Sequence, residues 1–190
     1  MKEKAIKNFI KITFFIVVLS ILGIKINNAI NFFHALLVTM NIVDNKNFTL
    51  IDKFYKISEI KKTYVYYGEN VQVKIFSPDR IGKKPVVLVG HGFAPDGYND
   101  TRLVNFAKSL AKTGIIVFLP NFRLMQEVRI TKETAYKMRF LFDEMLKLQD
   151  VNVNKAMFFP ISYSGGPATV AFSVPPYNEK VRKLFYLGGY

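Results

Sequence analysis

The stretch AMFFPISYSGGPATVAFS, residues 156–173, combines an apolar run, a turn rich in serine and glycine, and an apolar stretch of helical character. The apolar run is typical of a strand buried on both faces. The Ser-Gly-Gly sequence followed by Pro167 is typical of a turn that opens into the first turn of a helix. These residues therefore predict a strand that passes directly into a helix.

The rest of the chain from residue 63 onward continues the alternation of strands and helices. Asp100 or Thr101 can cap the start of a helix whose apolar residues share one face. Gly114 is expected to end this helix. Such alternation is typical of a doubly wound, mainly parallel α/β sheet. The other predicted elements are a hairpin over residues 63–78, strands over 86–89 and 115–119, a helix over 131–148, and a last strand beginning in KLFYLGGY, residues 183–190.

The centre of the opening stretch, Ser162-Tyr163-Ser164-Gly165-Gly166, resembles the nucleophile elbow G-x-S-x-G, with Ser162 in the place of the first glycine. In such an elbow the serine has a strained backbone that lifts its hydroxyl above the edge of the sheet. Small residues two positions before and after it keep the strand and the helix apart. The resemblance makes Ser164 the candidate nucleophile and gives Ser162 and Gly166 structural roles in the turn.

A second motif, Gly90-His91-Gly92-Phe93, follows the earlier apolar strand. With this motif, the segments HGFAPDGYNDTRLVNFAKSLAKTG and PISYSGGPATVAF make residues 63–190 resemble the N-terminal part of an α/β-hydrolase domain. They are most similar to bacterial dienelactone-hydrolase-like or prolyl-oligopeptidase-like serine hydrolases. The expected fold class is α/β, with an α/β-hydrolase-like, doubly wound and mainly parallel sheet that is incomplete on its C-terminal side.

The resemblance also implies a reaction and a set of residues. Ser164 would attack the carbonyl of a small ester or acyl substrate and form an acyl-enzyme that water hydrolyses. Backbone N–H groups of Gly165 and of Phe93, or alternatively Gly92, would form the oxyanion hole. The His91 side chain would orient its loop and would not act as the general base. No metal ion or organic cofactor is implied.

Two members of a catalytic triad are not found in the expected order after Ser164. The only acid that follows is Glu179, in a predicted loop, and no histidine follows at all. A serine nucleophile needs a base and normally a carboxylate that orients the base. We therefore expect a truncated hydrolase that lacks the triad acid and histidine, with weak or no activity. The alternative is a non-catalytic, membrane-associated binding or assembly protein on a degenerate hydrolase fold.

Residues 1–43 are predicted to form a basic segment and a membrane anchor. Four lysines lie within residues 1–11, and ITFFIVVLSILGI, residues 12–24, carries no charge. Thirteen helical residues span about 20 Å, so apolar neighbours and a snorkelling Lys11 would be needed to cross a core of about 30 Å. We expect an uncleaved signal anchor, with a cleaved signal peptide or a helical hairpin as alternatives.

The anchor predicts a single-pass protein with its N-terminus in the cytoplasm, because the lysines precede the apolar run. The hydrolase-like domain would then lie on the other side of the membrane. Residues 44–62 are polar and mixed, and are predicted to be a linker or a strand leading into the domain. The apolar residues 184–187 would form an exposed sheet edge, for which we expect a covering membrane or partner.

The composition of the 190 residues excludes several classes of site. The chain has no cysteine, so disulfides, thiolate-bound metals and a cysteine nucleophile are excluded. It has two histidines, too few for an all-histidine metal site, and His34 lies among apolar neighbours as expected for an interfacial or packed side chain. The net charge of +13 comes from dispersed lysines without a basic run, so specific nucleic-acid binding is not expected.

Overall fold

The structure is a computed structural model that describes residues 55–188 of the chain. The predicted membrane anchor of residues 1–43 lies outside these described residues. Within residues 55–188, no helix combines the length and apolar character that a membrane crossing requires.

The described residues form one mixed sheet with helices on both faces. The strands are β1 (Ile57–Tyr66), β2 (Glu69–Pro78), β3 (Lys84–Gly90), β4 (Ile116–Pro120), β5 (Val151–Pro160) and β6 (Lys183–Leu184). The α-helices are α1 (Thr101–Lys112), α2 (Arg123–Gln126), α3 (Lys132–Leu146), α4 (Gly165–Phe172) and α5 (Tyr177–Lys180). Two short 3₁₀ turns cover Gly97–Asn99 and Ser162–Ser164.

The strand order in the sheet is β1-β2-β4-β3-β5-β6. Strand β3 pairs in parallel with both β4 and β5, and β5 pairs in parallel with β6. Strands β1 and β2 form an antiparallel hairpin that joins the sheet through β4. The predicted hairpin and the predicted α/β sheet are confirmed. Strand β1 begins at Ile57, inside the segment predicted to be a linker or a leading strand.

The core consists of two layers, one on each side of the sheet. Because side chains alternate along a strand, Val86 and Leu88 of β3 face helices α3 and α4, while Val87 and Val89 face helix α1. All four side chains are buried, as expected for a strand covered on both faces. The ends of β3 and β5 are thereby held side by side, and the loops that follow them meet.

The predicted ends of helix α1 are confirmed. The Asp100 carboxylate accepts a hydrogen bond from the Arg102 backbone N–H and so caps the first turn. Gly114 follows the last turn with φ +101°, a conformation that residues with a side chain rarely adopt. Helix α1 therefore begins directly after its capping residue, Asp100, and ends just before Gly114.

Other boundaries differ from the predictions. Strand β5 begins at Val151, before the predicted start at residue 156. The prediction missed its first residues because exposed Asn and Lys side chains interrupt the apolar pattern there. Helices α2 and α5 each span four residues, too few to show a helical period, and were not predicted. The regular part of β6 is limited to two residues.

Helix α4 is fixed to the sheet by an aromatic cluster and by an arginine. The Phe172 ring lies 5.2 Å from that of Phe142 and 4.7 Å from that of Phe158. The Arg139 guanidinium donates to the backbone carbonyls of Val170 and Ala171, where the negative end of the α4 dipole lies. These contacts fix the helix that follows the Ser-Gly-Gly turn.

We expect Phe172→Ala to lower the free energy of unfolding by about 3 kcal/mol, because it leaves a cavity between α3, α4 and β5. Val170→Ala is the matched control on the same helix, since Val170 is exposed, and should change stability by less than about 0.5 kcal/mol. Urea denaturation followed by circular dichroism measures both. Equal effects of the two substitutions would contradict the described packing of α4.

Candidate active site

The turn between β5 and α4 contains one residue with a left-handed backbone. Ser162 has φ 52°, while Ser164 has φ −69° and ψ −13°, which is ordinary helical geometry. A left-handed conformation is uncommon for serine and is frequently found where a structure holds a reactive side chain. The strained position thus lies two residues before the predicted nucleophile, directly after Ile161 at the end of the strand.

The Ser164 hydroxyl is fully buried and engaged in hydrogen bonds. Its side chain has 0% exposure. The oxygen lies 2.9 Å from both the Gly90 and the Ile161 carbonyl oxygens, to one of which it donates. The same oxygen accepts the Ile161 backbone N–H at 2.7 Å. Ser164 therefore joins the end of β3 to the end of β5, and the geometry does not present its hydroxyl to a substrate.

The Ser162 side chain has different surroundings. Its residue is partly exposed, and among residues 55–188 its hydroxyl makes no hydrogen bond. Its backbone N–H donates to the Leu187 carbonyl at 2.8 Å, which ties the turn to the segment after β6. Ser162 is thus held by its backbone while its hydroxyl remains available.

The loop after β3 passes so close to this turn that it requires glycine. A Cβ atom added to Gly92 would lie 2.9 Å from the Ser162 Cβ and 3.5 Å from its Oγ. A Cβ added to Gly90 would lie 3.0 Å from the Ser164 Oγ. In contrast, a Cβ on Gly166 would meet nothing within 4 Å. Close approach therefore requires glycine at 90 and 92, and not at the predicted structural position 166.

The His91 imidazole is buried and both ring nitrogens are occupied. Its exposed fraction is 1%. Nε2 accepts the Phe122 backbone N–H at 2.9 Å, so the ring proton is on Nδ1, which donates to the Gly92 carbonyl at 2.8 Å. Burial holds the pKa of His91 below its usual value, because the charged form loses its hydration. Both nitrogens are bonded to backbone groups of the two loops, so neither is free to accept a proton from a serine in this arrangement.

The His91 contact also sets the direction of a backbone amide. In a trans peptide the C=O and the following N–H point in opposite directions. Since the Gly92 carbonyl points to the buried ring, the Phe93 N–H points away from it. The Gly165 N–H, predicted as the other oxyanion donor, is bonded to the Ser162 carbonyl inside the 3₁₀ turn. The amide that follows the left-handed serine is that of Tyr163.

The Asp100 carboxylate is engaged in structural contacts, whereas Asp96 and Glu179 are exposed. Asp100 caps helix α1 and forms an ion pair with Arg102, which lowers the pKa of its carboxyl. Asp96 is exposed before the 3₁₀ turn, and Glu179 is exposed in α5. Between residues 55 and 188, no three His, Asp or Glu side chains are grouped as a metal site requires. The described residues therefore contain neither a base–acid pair beside Ser162 nor a metal centre.

Nothing in the sequence indicates the contribution of the Leu187 backbone. Its carbonyl accepts the Ser162 N–H, its N–H donates to the Pro160 carbonyl at 3.1 Å, and it pairs in parallel with Ile161. These contacts join residues that are distant in sequence through their backbones, so no side-chain motif encodes them. The strained position at Ser162 did have a signal, because Pro160, Ser162 and Ser164 also satisfy the small-x-Ser-x-small pattern.

Comparisons with known proteins identify the fold. Neither a protein-family model nor a curated protein matches the chain. Dienelactone hydrolase from Anabaena variabilis is similar in structure, with a TM-score of 0.57, 19% identity, and coverage of 70% of this chain and 64% of that one. The α/β hydrolase GrgF from a Penicillium species has a TM-score of 0.53 and 15% identity, over 70% of this chain and 46% of that one.

A third similar structure is a cold-adapted esterase from an Arctic intertidal metagenomic library. It has a TM-score of 0.54 and 13% identity, over 68% of this chain and 60% of that one. The chain thus spans less than two thirds of the length of each of these proteins. At such identities the likeness concerns the fold, and the chain has the α/β-hydrolase fold that the two motifs predict.

We expect Gly92→Ala to displace the loop or the turn, because the added Cβ would lie 3.0 Å from the Ile161 carbonyl oxygen and closer still to Ser162. The loss of stability should be about 1–3 kcal/mol. Gly166→Ala is the control, as it adds the same methyl group into open space in a helix and should stabilise by up to about 1 kcal/mol. Thermal unfolding measures both, and a neutral Gly92→Ala would contradict the close approach.

We expect the free energy of unfolding to fall as the pH is lowered below about 6.5, the usual pKa of histidine. The folded state keeps His91 neutral, so its contribution is complete above the unfolded pKa and is lost as the pH falls toward the lower folded pKa. Urea denaturation between pH 7.5 and 5 measures this. In His91→Asn the slope should be reduced, and an unchanged slope would show that His91 does not cause it.

Proposed function

We propose that this chain is a serine hydrolase-type protein for ester or acyl substrates, and that Ser162, rather than Ser164, is its nucleophile. The observation that carries the proposal is the left-handed Ser162 at the end of β5, with its side chain against Gly92. Ser164 is buried and bonded to two backbone segments, which suits a structural role. The hydrolase and esterase names of the similar structures agree with this class of reaction.

The proposed reaction begins when the Ser162 Oγ attacks a carbonyl carbon. A C–O bond forms, the carbonyl π electrons move to the oxygen, and the serine proton passes to a base. The Phe93 and Tyr163 N–H groups would stabilise the oxyanion, in the manner of preorganised backbone donors. Collapse expels the alcohol, which takes up a proton, and leaves an acyl-enzyme that water hydrolyses.

The base for this step does not come from the described residues. His91 is the one histidine between residues 55 and 188, and its Nε2 is bonded to the Phe122 N–H. The proposed activity therefore requires a proton acceptor from outside this range. Without such an acceptor, an oxyanion hole alone leaves only residual catalysis.

The occupied nitrogens of His91 favour a second candidate function. A sheet with an elbow and an oxyanion-like pair of amides, but without a base, could bind an acyl compound or a partner without cleaving it. This is the non-catalytic binding or assembly protein that the sequence left as the alternative.

In either case residues 1–43 are proposed to hold the protein at a membrane, with the domain on the extracytoplasmic side.

We expect a fluorophosphonate probe to label the full-length protein, and Ser162→Ala to abolish this labelling. Ser164→Ala should still be labelled in its folded form, because its hydroxyl contributes hydrogen bonds to the turn rather than the attacking oxygen. That variant should lose about 1–2 kcal/mol of stability. Gel fluorescence of the labelled protein, with circular dichroism to verify folding, measures these outcomes.

The converse pattern, with labelling lost in folded Ser164→Ala and kept in Ser162→Ala, would contradict the assignment of the nucleophile. Wild-type protein that is folded but not labelled would favour the binding alternative.

A further inference from the structure

Three residues with large, exposed apolar side chains adjoin the Ser162 turn, either in sequence or through a backbone hydrogen bond. Phe93 follows Gly92, and Tyr163 follows Ser162 itself. Leu187 provides the carbonyl that accepts the Ser162 N–H. The exposed fractions of Phe93, Tyr163 and Leu187 are 48%, 44% and 54%. We call these three residues the apolar rim.

The segments that carry the apolar rim contain no Asp, Glu, Lys or Arg. They are residues 85–95, 156–178 and 184–190, in a chain with a net charge of +13. Along the segment of Leu187, the first charged residue is Lys183, about 13 Å away for an extended chain. These segments therefore offer a bound molecule no ionised side chain beside Ser162.

Such surroundings would discriminate between acyl groups by their charge. Each methylene that the rim buries should increase rate or affinity by up to about fourfold, from the free energy of removing apolar surface from water. An ionised group placed there would lose hydration without gaining an ion pair, which is unfavourable.

We propose that the site takes esters or acyl compounds whose acyl group is an uncharged alkyl or aryl chain, and that the apolar rim selects it. The inference rests on the function proposed for Ser162. Phe93 and Tyr163 would offer their rings, and Leu187 its isobutyl group, to the chain next to the carbonyl. These side chains determine specificity and take no part in the bond-making steps.

The positive net charge of the protein would, by itself, lead to the opposite expectation, a preference for anionic substrates. A strongly basic protein attracts anions over distances of about 10 Å at ordinary ionic strength. If overall charge determined selection, a probe with a carboxylate would react faster than its neutral counterpart. Selection by the apolar rim predicts that the carboxylate probe reacts more slowly, so overall charge and the apolar rim predict opposite effects.

The test compares two fluorophosphonates of equal chain length on the full-length protein, one ending in a methyl group and one in a carboxylate. We expect the alkyl probe to label at least about tenfold faster, because the carboxylate has no partner at the rim. Phe93→Ser and Leu187→Ser should each reduce this ratio severalfold. Val153→Ser is the control, because Val153 is equally exposed but lies at the opposite end of β5, and it should leave the ratio unchanged.

The outcomes separate this inference from the function on which it rests. Labelling that depends on Ser162 but is equal or faster with the carboxylate probe would overturn the apolar selection and leave the nucleophile in place. A ratio that Val153→Ser lowers as much as Phe93→Ser would also overturn it.

Absence of labelling by either probe would refute the proposed function, and a second measurement then decides about the rim. Isothermal titration calorimetry with unreactive methyl ketones that carry the same two chains measures the binding preference without a covalent reaction. Tighter binding of the alkyl ketone, reduced in Phe93→Ser, would support the rim, while equal binding or none would overturn it.

Discussion

The buried hydroxyl of Ser164 is the contact on which the arrangement of the site depends. It lies between the Gly90 and Ile161 carbonyls and accepts the Ile161 N–H, so it joins two parallel strands at the point where both end. An unpaired polar group at this depth would be costly, which makes the joint specific. With the two ends fixed together, Ser162 must turn sharply to enter the helix, and only glycine fits at position 92.

The site is therefore built mainly from backbone. His91 bonds to the backbone at both ring nitrogens and connects the loop after β3 with the loop after β4. It directs the Gly92 carbonyl inward and the next amide outward, while the Leu187 carbonyl holds the turn from the other side. A charged side chain takes part in none of these contacts. The turn is therefore held by uncharged groups although the protein as a whole is basic.

Much of this architecture could be predicted from sequence, because it depends on local patterns. The apolar runs of β3 and β4, the Asp100 cap and the glycine after α1 each have a local physical cause, and the two motifs indicated the fold. Which serine of the turn is left-handed was harder to predict. Ser162 and Ser164 both fit a small-x-Ser-x-small pattern, and amino-acid type alone does not determine backbone φ. Leu187 makes non-local backbone bonds, and the Phe122 N–H donates to the ring of the distant His91. Neither contact can be seen in the spacing of side chains along the sequence.

In the proposed site, Ser164 holds the turn while Ser162 presents the reactive hydroxyl. A crystal structure of the phosphonylated protein would show which of the two serines reacts. We predict phosphorus bonded to the Ser162 Oγ, its oxygen within about 3 Å of the Phe93 and Tyr163 nitrogens, and the Ser164 hydroxyl still between the Gly90 and Ile161 carbonyls. An adduct on Ser164, or a right-handed Ser162 turned away from Gly92, would contradict the claim.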